Sequence, residues 1–301
     1  MQVTIGISLL LLSAVLHAAW NFLAKRSKTH SKEFFLIANT IGIVLCLPIL
    51  FFTPFQLLHL PREIILYLVF SGLFESFYFT TLAKCYKHGD LSITYPIART
   101  FPVIFVTLFS VLHDHLHMPL YFMLGGCIVV AGCLILPMHH FRDFTLKRYA
   151  HPSTLFAFLT SLSCTGYLIS DSKALLLLHH HNTDIHFVVI AIFYALIRSI
   201  AISLLLSVPS WIQKSSRNNL RFVLRESLRP VFITGICMTI TYTLVLIAMT
   251  VMSNVSYVTL VRQLSIPLSA LLGIYISKEP NRLTKWVGIV MMFCGVVMAS
   301  L

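Results

Sequence analysis

Charge is what this sequence has least of. Aspartate, glutamate, lysine and arginine supply 11% of its 301 residues, 22 of them basic and only 10 acidic. A soluble domain carries about 25% charged residues, so there is too little polar surface here to coat a water-soluble globule. The same scarcity excludes a disordered chain, a coiled coil and a nucleic-acid-binding domain. Paired cysteines are missing too. Cys46, Cys85, Cys127, Cys133, Cys164, Cys237 and Cys294 form no CxxC, so neither a disulfide framework nor a zinc knuckle is supported. They read as small apolar packing residues. HExxH, GxSxG and intramembrane GxGD motifs are absent, so no catalytic residue, metal or cofactor is expected.

What is present is apolar: 57% of residues are hydrophobic and the mean hydropathy is +0.87. Crossing about 30 Å of hydrocarbon takes about 20 apolar residues. Ten such runs occur, near 3–24, 34–53, 64–83, 91–112, 119–137, 154–177, 186–208, 231–251, 255–276 and 284–301. Unpaired backbone is not tolerated in lipid, and these runs lack the alternation of barrel strands. The expectation is an all-α polytopic membrane protein with ten transmembrane helices. The first run lacks a basic flank before it and reads as a retained helix rather than a cleaved signal.

The chain divides into 1–137, a linker at 138–153, and 154–301, with five runs on each side. Traces of duplication link the halves. Pro102 precedes Asp114 by twelve residues, as Pro267 precedes Glu279; Gly125 and Gly132 are seven apart, as are Gly288 and Gly295. Five is odd, so a second copy enters the membrane upside down, making two inverted five-helix repeats. The basic residues follow that pattern. Lys25, Arg26, Lys28, Lys32, Lys84 and Lys87 follow the first and third runs of the first half. Lys214, Arg217, Arg221, Arg225, Arg229, Lys278, Arg282 and Lys285 follow the second and fourth of the second half. With Arg142, Lys147 and Arg148 of the linker, 17 basic residues share one face, against Arg62 and a snorkelling Lys173 on the other. By the positive-inside rule that face is cytoplasmic and both termini are outside. Arg217, Arg221, Arg225 and Arg229 also recur every four residues among leucines, the pattern of a basic amphipathic helix on an anionic lipid surface.

Polar residues within the runs mark faces turned from lipid. Ser13, His17, Trp20 and Asn21 lie on the first, Ser71, Glu75 and Tyr78 on the third, and Ser92, Tyr95 and Arg99 on the fourth. Ser163, Tyr167 and Ser170 lie on the sixth, Thr239, Tyr242 and Thr243 on the eighth, and Thr259, Arg262, Ser265 and Ser269 on the ninth. Their helical spacing predicts six striped helices around a polar cavity. Runs five and ten carry glycines instead, suited to close helix packing or to a homodimer contact. Glu75, Arg99, Arg198 and Arg262 are the ionisable groups read as deep within runs. One acid for three bases leaves positive charge to attract a carboxylate or phosphate. Arg99 and Arg262 are expected to hold that group, Tyr95 and Tyr242 to contact its body, and Trp20, Asn21 and Tyr167 to line the cavity. Glu75 is the expected proton-coupling acid or counter-ion, and Arg198 has the least claim to a role. The alternative is that Glu75 merely neutralises one arginine while the others snorkel toward water. His113, His115 and His117 around Asp114, and His179, His180, His181 and His186 near Asp184, open the alternative of a divalent-metal carrier. A non-transporting lipid-handling protein is the remaining alternative.

These residues also carry a resemblance. His17-Ala-Ala-Trp20-Asn21 with Lys25, the run from Gly89 to Arg99, and Arg262-Gln263 with Pro267, Glu279 and the Gly288/Gly295 helix resemble EamA-type members of the drug/metabolite transporter superfamily. Asp114 stands where that repeat usually ends in glutamate. The resemblance implies a multi-pass carrier of the bacterial inner membrane working by alternating access. Members of the family include exporters of amino acids and other metabolites, drug exporters and, more distantly, nucleotide-sugar carriers, so the resemblance does not fix the substrate. With the arginines, the expectation is export of a small polar, anionic or zwitterionic metabolite such as an amino acid.

Overall fold

Each of the ten apolar stretches folds as helix. The computed structural model describes residues 2–26, 31–88, 91–138, 140–141, 152–252, 254–276 and 278–300. The side chains of 2–3, 24–26, 86–88, 91–96 and 152–153 lie outside that description. Ser92 and Tyr95 therefore have no described side chain, nor do Lys25, Arg26 and Lys87; Lys28, Arg142, Lys147 and Arg148 lie outside the described residues altogether. The first half comprises α1 (Gln2–Arg26), α2 (Lys32–Cys46), a short α3 (Phe55–Leu58), α4 (Arg62–His88), α5 (Leu91–Leu112) and α6 (Leu120–Ile135). The second comprises α7 (Pro152–His181), α8 (Phe187–Ile212), α9 (Lys214–Glu226), α10 (Leu228–Val251), α11 (Val255–Val261), α12 (Ser265–Ile276) and α13 (Leu283–Ala299).

Six segments are long and apolar enough to cross a membrane: Thr4–Leu23, Lys32–Phe52, Arg62–Cys85, Phe187–Ile212, Leu228–Val251 and Val255–Ile276. Ile97–Leu112, Leu120–Ile135 and Leu283–Ala299 are apolar but shorter, and α7 is long but interrupted by Asp171 and Lys173. The burial pattern is that of a lipid-facing bundle. Leu11, Leu12 and Val15 on α1, Phe70, Leu73 and Phe77 on α4, and Leu204 and Val208 on α8 point outward, while Ser13, Ser71, Glu75, Asp171 and Arg198 point inward. A water-soluble fold has the reverse arrangement.

Packing relates the two halves by a two-fold. The first helix of each half lies on the third of the other, α1 on α10 and α7 on α4, and the last helices, α6 and α13, lie on each other. The glycines define that last contact. A Cβ on Gly125 would stand 2.4 Å from the Gly295 carbonyl oxygen, and one on Gly132 would stand 2.9 Å from that of Gly288. The earlier glycine of α6 meets the later one of α13, so the two helices run antiparallel. The turns after α5 and α12 match as well. His115 and Lys278 are left-handed, with φ 51° and 52°, and the following N–H groups reach six residues back, Leu116 to Ser110 at 3.0 Å and Glu279 to Gly273 at 3.1 Å. These pairs share the register that relates Arg99 to Arg262, so Glu279 corresponds to Leu116. The matched Pro102–Asp114 and Pro267–Glu279 spacings are two residues out of that register, because the turn geometry and the glycine crossings fix the equivalence. The amphipathic helix also ends sooner than its arginine spacing suggests. α9 stops at Glu226, Ser227 interrupts it, and Arg229 belongs to α10.

Candidate functional site

The ninth apolar run is not one helix. α11 ends at Val261, residues Arg262–Leu264 form a 3₁₀ turn, and α12 resumes at Ser265. Pro267 explains the break: it has no N–H to offer the Gln263 carbonyl four residues back, so the ladder is interrupted there. The tightened turn puts Arg262, Gln263 and Thr259 on a narrow cleft shared with Ala98, Arg99 and Pro102 of α5 and Cys164 and Leu168 of α7. Arg99 is tied across to this turn. Its Nη2 donates to Ser265 Oγ at 2.9 Å, and Ser265 Oγ donates to the Arg262 carbonyl at 2.9 Å. The same Nη2 lies 2.6 Å from His17 Nε2. A guanidinium can only donate, so His17 accepts there and is neutral with its proton on Nδ1. Trp20 stands edge-on to His17 at 4.8 Å, with its buried indole N–H unpartnered among the described residues. Gln263 Oε1 is likewise buried without a partner. One open donor and one open acceptor therefore flank the two arginines.

A second cleft lies beside the first. Asn39 of α2, Glu75 of α4, Arg198 of α8 and Tyr242 of α10 line it. Arg198 is 4% exposed and ion-pairs with Glu75 through Nη2 and with Asp171 through Nε at 2.9 Å. Asp171 has four partners. Ser71 donates to it at 2.5 Å, Tyr194 at 2.8 Å and Tyr242 at 2.5 Å. Tyr242 is the wall between the clefts. Its ring centroid is 4.0 Å from the Arg198 guanidinium carbon and 5.3 Å from that of Arg262, within the range of cation–π attraction. Tyr167 packs against it at 5.8 Å. The clefts have volumes of about 10 and about 30 Å³. That is room for a water or two, since about 10–15 Å³ by this measure holds one, and not for a metabolite.

Of the residues singled out in the sequence, Arg99 and Arg262 meet at one cleft, Trp20 stands beside them, and Tyr167 and Tyr242 form the adjoining wall. Asn21 is placed differently: its side-chain amide donates to the His17 carbonyl of its own helix at 2.9 Å. Two expectations are corrected. The deep acids number two rather than one, because Asp171 is fully buried ten residues before the end of α7. Arg198 does not snorkel; two carboxylates hold it in place. Asp171 is legible as a charge within the 154–177 run, six residues before its end; its partners on three other helices are not. Lys173 is also held, with its Nζ 2.6 Å from Asp114 Oδ1. Around the histidine-rich loops, no three His, Cys, Asp or Glu side chains gather into a metal-sized group among the described residues.

Comparison with known proteins adds to this geometry. No curated protein matches the sequence significantly. A crystal structure of a protein superposes over 100% of this chain and 98% of its own, with a TM-score of 0.61 and 18% identity; at that identity the likeness speaks for the fold alone. The EamA-like transporter family matches twice, over residues 4–138 and 152–301, so the repeat seen in the helix packing is the family's own. With both halves matched across nearly the whole length, the chain belongs to the EamA-like transporter family of the drug/metabolite transporter superfamily, as a multi-pass membrane protein.

Proposed function

We propose that this protein is a secondary transporter of a small polar, anionic or zwitterionic metabolite such as an amino acid. It works by alternating access between two inverted five-helix repeats, completing ten spans in the bacterial inner membrane and running outward when the metabolite is abundant inside. The observation that carries the reading is the pair of arginines, Arg99 and Arg262, at one narrow cleft between the halves. Burial of such charges is costly in a bilayer and marks substrate pathways. A carboxylate there accepts from two guanidinium groups, while the free Trp20 N–H and Gln263 Oε1 address the rest of a polar molecule. Tyr242 and Tyr167 supply apolar walls, and Tyr95 of α5 and Asn21 of α1 are the further substrate contacts we propose. Glu75, on the neighbouring cleft, is the proton-coupling acid.

A thermal-shift screen of the purified protein against metabolites identifies the cargo, because a ligand that binds only the folded state raises its stability. In proteoliposomes Arg99→Ala and Arg262→Ala should each cut uptake of that metabolite by about 10- to 100-fold, the weight of a charge-assisted hydrogen bond of about 1.5–3 kcal/mol. Unchanged uptake in a folded variant removes that arginine from the site. Lipid head-group binding without flux of any soluble metabolite would favour the lipid-handling alternative.

A further inference from the structure

The second cleft has a purpose of its own in the geometry. Glu75 lines it, whereas Asp171 does not and is fully buried. The two carboxylates share one guanidinium, but their surroundings differ. Asp171 receives Ser71, Tyr194 and Tyr242 hydroxyls in addition to Arg198, so donors already occupy its acceptor sites. Glu75 ion-pairs with Arg198 and lines the cleft. The other groups around Glu75 are Tyr167 and Cys164 from α7, Tyr194 beside Arg198 on α8, Tyr242 from α10 and neutral Asn39 from α2. Arg262 lies within electrostatic reach beyond the Tyr242 ring.

We infer that Glu75, Arg198 and Asp171 form a buried single-proton site in which Glu75, the less-bonded carboxylate, takes the proton from its own cleft. Through the Arg262 charge behind Tyr242, proton binding at Glu75 and anion binding at Arg262 favour each other. The inference deepens the reading of the arginine cleft above and rests on it. With the cleft empty, the Arg262 charge helps hold Glu75 ionised. An anion seated on Arg262 cancels that help, and a proton from cleft water then moves onto a Glu75 carboxylate oxygen. Linkage makes the effect reciprocal. A monoanion and its proton together are an electroneutral load, and a zwitterion with a proton carries one positive charge; the direction follows the gradients.

The test needs no substrate. Infrared difference spectra of the purified full chain in lipid nanodiscs, recorded across pH, report the carbonyl stretch of a protonated buried carboxylic acid. One such band is expected, lost in Glu75→Gln. Arg262→Gln imitates the anion-bound cleft and should move the band's midpoint up by about one pH unit, the scale of a nearby charge, with Arg262→Lys restoring it. A band that survives Glu75→Gln overturns the assignment, and a midpoint unmoved in Arg262→Gln overturns the linkage even while metabolites still stabilise the protein. Conversely, a midpoint that shifts as expected while no metabolite stabilises the protein would sink the substrate reading alone.

Discussion

Asp114, in the turn between α5 and α6, accepts hydrogen bonds from Lys173 at 2.6 Å and His113 at 3.0 Å. Burial alone would push its carboxyl up, but the bonds from Lys173 and His113 outweigh it and hold the group below the usual carboxylate range. The sign follows from linkage. A folded-state value below the unfolded one, about 3.9 for aspartate, gives stability that is full above the unfolded value and is lost as pH falls through the folded one. Asp114→Asn should therefore lower stability at neutral pH by about 1 kcal/mol or less, the worth of a partly exposed pair. In thermal melts the gap between variant and parent should close at strongly acidic pH. A gap that persists there would mean the side chain acts by packing instead. The same residue scale shows what the sequence makes legible. Arg99 and Arg262 stand out because any charge in an apolar run does. That Glu75 pairs with Arg198, and that Asp171 joins them, depends on contacts between α4, α7, α8 and α10 that no spacing along one helix contains.

At the scale of elements, the glycines of α6 and α13 are legible as a pattern but their partner is not. Sequence spacing allows them to face a second chain or each other; here Gly125 and Gly132 abut Gly295 and Gly288 of the same chain. The obstructing atoms are backbone, which cannot swing aside. Gly125→Ala and Gly132→Ala should each destabilise the protein by about 1–3 kcal/mol, the usual cost of overpacking. Gly126 is the internal control. Its Cβ would meet only Leu260 Cδ1, at 4.0 Å, so Gly126→Ala should be neutral or slightly stabilising through helix propensity. Equal losses in all three variants, measured by thermal unfolding in detergent, would place the effect in the helix itself rather than in the crossing. The break between α11 and α12 is the converse case: Pro267 announces it in the sequence, and the 3₁₀ turn that carries Arg262 lies where the missing N–H requires.

For the whole molecule, the net charge of +12 is largely a statement about orientation. Seventeen of its basic residues fall on connections of one parity in the first half and of the other parity in the second, and the antiparallel crossing of α6 and α13 is the geometry that such an inversion produces. Thr183, between α7 and α8, and Ser215, at the start of the basic α9, are both exposed and are assigned to opposite faces by that charge count. In a background with the native cysteines replaced, Thr183→Cys should react with a membrane-impermeant maleimide added to intact cells. Ser215→Cys should be labelled only after the membrane is opened, because the positive-inside rule puts α9 on the cytoplasmic surface. Labelling of Ser215→Cys alone in intact cells would reverse the orientation, and labelling of both would break the assignment of odd and even connections to opposite faces, and with it the inverted repeat. The outcome also bears on the two clefts, since an inverted pair of halves is what allows one closed centre to open toward either face in turn.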